Sequence, residues 1–252
     1  MALAQDEGFV IAATKYQESS LVVRCFLRGH GKLGIVARGA RSMKSRLGSS
    51  FETFSRLKLL FFLGGNAEMG TLKEAFAEDY YPLLRADLDR FACASLFFEI
   101  LDQGLPAHEP HPAVYDATLG FLEDMKRNDW LPGDSPRHFL SLVAGLGFAP
   151  SLERCGDCGN ADGLGYFDCA GGRVLCNRCA TGFAGLVPLS EDLRCGMIRA
   201  SLPLSHIEPS WPAAMSADFF RLLRDLVEYH FDLRLRSTDF LLSQLTGNNP
   251  HH

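Results

Sequence analysis

The chain has 252 residues, 47% of them apolar and 22% charged, with a net charge of −5. That composition supports a sizeable core in one large domain or two to three small ones, and it excludes a disordered or fibrous chain. No apolar run approaches the length of a membrane span, since the longest, around Leu57 to Leu63, is broken by Lys58 and reads as a strand. The N-terminus carries no basic-then-apolar signal segment, so the expected compartment is the cytoplasm, with reduced cysteines. The charge is unevenly spread. Residues 1–60 hold ten Lys/Arg and four Asp/Glu, a net +6, against −11 for the remainder. A basic first segment on an acidic protein is an electrostatic footprint for a polyanion, although a solvated surface of uneven charge has the same composition.

The first eighty residues read as strands. Gly8 to Lys15 is the first. Leu21 to Arg28 is the second and alternates cleanly, with Leu21, Val23, Cys25 and Leu27 on one face and Val22, Arg24, Phe26 and Arg28 on the other. After the turn Gly29-His30-Gly31, Lys32 to Arg38 forms a third strand. Phe51 to Phe62 predicts a long fourth, and Met69 to Phe76 a fifth. Five strands in this length fit a small closed barrel of the OB type. Arg24, Phe26 and Arg28 make a basic–aromatic–basic row, which suits single-stranded nucleic acid because cations track phosphates and rings stack on bases. Packing against a neighbouring helix is the equal alternative for Phe26. The segment Gly39 to Gly48 carries Arg41, Lys44 and Arg46 with no acid between them, as a loop that folds over a phosphate backbone would.

From about residue 80 the period becomes helical. Asp87 to Gln103 places Leu88, Phe91, Ala92, Leu96 and Ile100 on one stripe. Pro112 to Arg127 opens on a proline and closes on Lys126 and Arg127. Ser135-Pro136 starts a third helix, Ser190-Glu191-Asp192 caps a short one toward Ala200, and Pro212 to Asp232 is the last strong one. The closing Gly247 to His252 has no core-forming residues, and its histidines are no sign of metal.

Between these helices lie Cys155-Gly156-Asp157-Cys158 and Cys176-Asn177-Arg178-Cys179, with seventeen residues between the pairs. This C-x2-C-x17-C-x2-C spacing reads as a closed structural Zn2+ site, one per chain, on Cys155, Cys158, Cys176 and Cys179. Gly156 and Gly159 permit positive φ, and Asn177 tolerates it. Arg154, Arg173 and Arg178 lie close enough in sequence to offset the thiolate charge. Gly165 to Asp168 turns through Ala170-Gly171-Gly172 into Arg173 to Leu175, a hairpin between the knuckles with Cys169 near its tip. Cys169 has no cysteine partner two residues away, though it remains a possible replacement ligand. Disulfides are the weaker reading in a reducing compartment.

The expected class is therefore α+β and multidomain. An OB-type barrel spans residues 1–80, and a helical domain spans 81–252 with a four-cysteine zinc hairpin inserted at about 150–182. A four-sulfur site has no open position for substrate. The chain also lacks an H-x-E with Pro-Cys-x-x-Cys, a phosphate-binding loop and a nucleophile elbow. A binding protein, not an enzyme, is the expectation.

This order resembles the RecO family of DNA-repair recombination mediators. The likeness rests on Glu7 to Ile11, Glu18 to Val23, Gly31 to Arg41, Lys44-Ser45, Cys155 to Gly159 and Gly171 to Cys176 with Cys179, and it covers nearly the whole chain. The resemblance implies binding of single- and double-stranded DNA and annealing of complementary strands. It also implies contact with the acidic C-terminal tail of single-stranded DNA-binding protein and loading of the RecA recombinase together with the partner RecR. It implies a cytoplasmic, nucleoid-associated bacterial protein, with no membrane partner. Some family members lack the zinc cysteines, which makes the metal structural. Lys32, Arg38, Arg41 and Lys44 match the family's basic barrel positions. Arg24, Arg28 and Arg46 are added from the strand and loop pattern. The family's tail-binding pocket lies in the helical domain, where no motif places its residues. Two other readings fit the same charges: an RNA-binding or ribosome-associated barrel with a zinc ribbon, and a protein-binding scaffold whose basic loop meets an acidic peptide.

Overall fold

The computed structural model describes residues 2–41, 51–65, 68–202 and 210–247. The chain divides into two compact units, one of residues 1–86 with 101–119 and the other of 87–100 with 120–252. The segment Leu101–Leu119, assigned by sequence to the helices, thus belongs with the strands.

In the first unit, β1 (Ala2–Tyr16), β2 (Ser20–Leu27), β3 (Gly31–Ala37), β4 (Arg56–Leu63) and β5 (Met69–Asp79) close into a barrel of order β1-β2-β3-β5-β4. All neighbours run antiparallel except β3 and β5, which pair in parallel from Gly34–Met69 to Val36–Thr71. Val23, Cys25 and Leu27 point inward with Leu33, Ile35, Leu57, Leu59 and Phe61, as the alternation of these strands predicts.

Three strand boundaries differ from expectation, the first being that β5 runs on to Asp79, three residues past Phe76, where it pairs with Arg56 and Leu57 of β4. β1 starts at Ala2, because Ala2 to Phe9 pairs residue for residue with Leu63 to Arg56. Its Asp6-Glu7 is poor strand sequence, and tertiary pairing overrides that propensity. β4 starts at Arg56, because Phe54 turns the chain at φ 75° while Phe51 and Phe54 remain buried.

The second unit packs helices around phenylalanines. Its elements include most of α2 (Leu88–Gly104) and the end of α3 (Pro112–Asp124), which follow the short α1 (Pro82–Ala86) of the first unit. Also here are α4 (Pro136–Gly145), α6 (Glu191–Ala200), α7 (Ala213–Phe231) and α8 (Ser237–Leu245), with α5 (Asn177–Ala180) in the cysteine region. Phe97 stacks on Phe121 at 4.2 Å, and Phe139 meets Phe97 and Phe220 edge-on at 5.4 and 5.1 Å.

The buried face of α2 is turned from the expected stripe. Leu88 and Phe91 are exposed, while Cys93 and Phe97 join Ala92, Leu96 and Ile100 inside. α3 stops at Asp124, short of Arg127. The buried Arg90 donates from Nε to the Met125 carbonyl and from Nη2 to the Arg127 carbonyl, supplying cationic partners where the helix ends. At α6, the Ser190 hydroxyl accepts the Leu193 amide at 3.3 Å, as its capping position predicts. α8 is capped from another helix, since the Glu99 carboxylate accepts the Arg236 and Ser237 amides at 2.9 and 2.8 Å. Among the described residues no helix is long and apolar enough to cross a membrane.

Candidate metal centre and nucleic-acid interface

In the second unit, β6 (Leu164–Asp168), β7 (Arg173–Cys176) and β8 (Val187–Pro188) form a small sheet of order β7-β6-β8. The β6–β7 hairpin lies where its sequence places it. It delivers Cys176 at the end of β7, and α5 delivers Cys179 one turn later. The knuckle of Cys155 and Cys158 docks on this hairpin through the Gly156 amide, which donates to the Val174 carbonyl at 2.9 Å.

The four sulfurs all lie within 4.8 Å of one another, with Cys158 Sγ 3.8 Å from Cys176 Sγ. A tetrahedron of thiolates about 2.3 Å from one ion requires sulfur separations of about 3.8 Å. Donor type, number and spacing therefore fit a tetrahedral thiophilic metal ion. Burial opposes ionisation of Cys155, but the backbone amides of Cys158, Cys176 and Asp157 outweigh it and bring this thiol down to about 6. Cys179 moves the other way, raised first by its hydrogen bond to Asp157 and then by Cys158. A metal-free cluster thus retains protons that a bound ion displaces.

The knuckle geometry departs from expectation in two places. Gly159 does take positive φ, at 73°. Gly156 is needed for space instead, since a Cβ there would sit 2.4 Å from Arg173 Cδ. Asn177 opens α5 and needs no unusual backbone. Of the neighbouring arginines, Arg173 is engaged by Asp168 at 3.1 Å and by the Gly156 carbonyl at 3.1 Å. Arg178 is exposed, and hydrogen bonds with Cys158 first and then Cys179 push its guanidinium up. Cys169 stands outside the cluster. It is buried, and burial raises its thiol to about 11.

In the first unit, the candidate cations fall into two groups. Arg38 and Arg41, just past the end of β3, are exposed, and neither forms an ion pair among the described residues. The Arg41 side chain donates to the Glu18 carbonyl, at 3.2 Å. Lys44 and Arg46 lie outside the described residues. The other three face the segment Leu101–Leu119. Arg24 Nη2 meets Asp102 Oδ2 at 2.6 Å. Lys32 Nζ donates to the Asp102 backbone carbonyl and lies 3.6 Å from its carboxylate. Arg28 Nη2 is 3.2 Å from Asp116, and its guanidinium lies 5.1 Å above the Tyr115 ring. Phe26 is fully buried, with its ring 5.9 Å from Tyr115, so packing is the role it takes and base stacking is ruled out for it here.

Asp102, Asp116 and Tyr115 are the residues that sequence reasoning did not single out. On helices their spacing looks like ordinary polar and core positions. Only the pairing of their segment with β3 brings them to the basic strand face.

Family profiles cover almost the whole chain. Recombination protein O N terminal matches residues 1–81, and Recombination protein O C terminal matches residues 85–239. The DNA repair protein RecO of Listeria monocytogenes serotype 4a is 32% identical over 178 residues, covering 69% of this chain and 67% of its own. The DNA repair protein RecO of Anaeromyxobacter dehalogenans is 28% identical over 246 residues, covering 96% of both chains. With both profiles matched in order, the chain belongs to the RecO family.

Proposed function

We propose that this protein is a DNA-repair and recombination mediator that acts by binding, with no catalytic step of its own. The barrel holds single- and double-stranded DNA through phosphates, with Arg38 and Arg41 as leading contacts. Lys44 and Arg46 extend that set, while the sequence candidates Arg24, Arg28 and Lys32 are already engaged by Asp102 and Asp116. Neutralising phosphates on two strands lowers their mutual repulsion and promotes annealing. The single observation that carries this reading is the exposed Arg38–Arg41 end of β3, without ion pairs among the described residues, on a chain whose first sixty residues hold +6 against −11 elsewhere. The acidic remainder repels a polyanion and confines it to that end.

Family membership supports the partners: RecR, the acidic tail of single-stranded DNA-binding protein, and RecA indirectly. The four-cysteine site holds Zn2+ in a structural role. Cys155, Cys158, Cys176 and Cys179 supply all four ligands, and the ion ties the knuckle to the hairpin. Titrating the protein against labelled single-stranded DNA, duplex DNA and RNA at about 50 and 200 mM salt tests the reading. DNA binding that weakens steeply with salt is the expected result. A clear preference for RNA would favour the ribosome-associated alternative.

A further inference from the structure

We infer that Asp102 and Asp116 form an acidic guard over β2, which keeps Arg24, Arg28 and Lys32 from nucleic-acid phosphates and leaves the Arg38–Arg41 end of β3 as the open site. The inference rests on the DNA-binding reading above and specifies which part of that surface is in use.

Three of the five described candidate cations are already held by carboxylates or carbonyls of one segment, Leu101–Leu119. With Arg56 and Glu7, which pair at 2.9 Å, four cations on this strip meet the three carboxylates of Glu7, Asp102 and Asp116. A phosphate approaching the strip therefore meets a carboxylate within about one hydrogen-bond length of each arginine. The carboxylates are not on a movable lid. Lys32 and Ala107 form a parallel bridge, and the His108 amide donates to the Lys32 carbonyl at 3.0 Å. Gly31, at φ 65°, lies so close to this segment that a Cβ would fall 2.0 Å from the Glu109 carbonyl oxygen. Phe9 and Phe26 pack on Tyr115 at 4.9 and 5.9 Å.

The guanidinium groups themselves remain within reach, since the Arg24 and Arg28 side chains are 48% and 46% exposed. Opening the strip thus requires removal of the acid charges and no rearrangement of the backbone. The reach of the guard is short. Arg24, the nearer of the two cations that Asp102 holds, pairs with Gly34, four residues before Arg38 and about 13 Å from it at strand rise. The screening length at physiological salt is about 8 Å, so Asp102 acts mainly on its direct partners and only weakly on Arg38 and Arg41.

The test compares the parent with Asp102→Asn, Asp116→Asn and the double variant, using fluorescence anisotropy on a labelled oligonucleotide and duplex over a salt series. Each freed cation should tighten binding by roughly threefold at moderate salt and steepen the log–log salt slope by about 0.9 on duplex and about 0.7 on single strands. Arg24→Gln with Arg28→Gln should leave the parent's affinity unchanged and cancel the gain of the Asp→Asn variant. That arm stands even if the Asp→Asn variants melt early. If the parent binds DNA and the double Asp→Asn variant binds no better, the guard is overturned alone. Weakening of the parent by Arg24→Gln with Arg28→Gln does the same, because those arginines would then already touch DNA. If neither the parent nor the double variant binds, the guard and the DNA-binding reading both fall.

Discussion

The ring of Phe26 lies 5.9 Å from that of Tyr115, tilted by 54°, and neither ring reaches solvent. A strand residue read as a possible base platform is thus part of the packing between the barrel and its covering segment. Phe26→Ala should lower unfolding free energy by about 3–5 kcal/mol, the usual range for emptying a packed phenylalanine site. Urea denaturation measures this. Unchanged stability with loss of single-strand binding would return Phe26 to the nucleic-acid face.

One tightly held zinc ion per chain is expected from elemental analysis. Cys176→Ser should abolish it and loosen the hairpin, because that sulfur comes from β7 itself. Cys169→Ser should leave metal content unchanged, since Cys169 stands apart from the four-sulfur cluster. Metal loss in the Cys169 variant would show that a ligand has been misassigned.

Arg38, Arg41 and Lys44 changed together to alanine should weaken DNA binding at least tenfold at moderate salt, each contact being worth about 1 kcal/mol. Strand annealing should fall in parallel, because the same charges serve both. Melting temperature and zinc content should hold, since Arg38 and Arg41 are exposed and outside both cores. If binding and annealing persist, the exposed Arg234 and Arg236 and the arginines around the cysteines become the next candidates.

Asp124 predicts a pH signature. Burial opposes its ionisation, but hydrogen bonds from His138 at 3.2 Å and Arg127 at 3.1 Å prevail and hold the carboxyl below its usual range. A depressed native value means the stabilisation is fully present above the unfolded value, about 3.9, and is lost as pH falls toward the native one. Asp124→Asn should therefore cost about 1 kcal/mol at pH 7, discounted for partial exposure, and almost nothing near pH 2. Thermal melts of both proteins across that range give the comparison. A deficit that persists undiminished at low pH would point to packing, not charge.

How much of this was legible in the sequence depended on whether the signal was local. The alternation of Val23, Cys25 and Leu27 announces its own inward face, and the paired cysteines announce their convergence, because both patterns complete within a few residues. The Ser190 cap and the β6–β7 turn are local in the same way. The start of β1 was not legible, because Asp6-Glu7 becomes strand only through pairing with Lys58 and Leu59. Nor was the rotation of α2, where Leu88 and Phe91 look as apolar as Cys93 and Phe97 and only the packing of Phe121 and Phe139 selects between them. The counter-ions of the basic strand lie 78 and 88 residues along the chain, at Asp102 for Arg24 and at Asp116 for Arg28. No local pattern reaches so far.

β1 serves two neighbours: its first half pairs with β4, and its second half pairs with β2. During synthesis the hairpin with β2 can form as soon as residue 27 is available, while Ala2 to Phe9 waits for Arg56 to Leu63. Through that interval the leading strand presents an open hydrogen-bonding edge, the kind of edge that recruits another chain. Slow, non-local closure makes the nascent barrel dependent on rapid emergence of β4. Any delay in synthesis before residue 63 therefore prolongs the time in which that edge can pair with another copy of the chain.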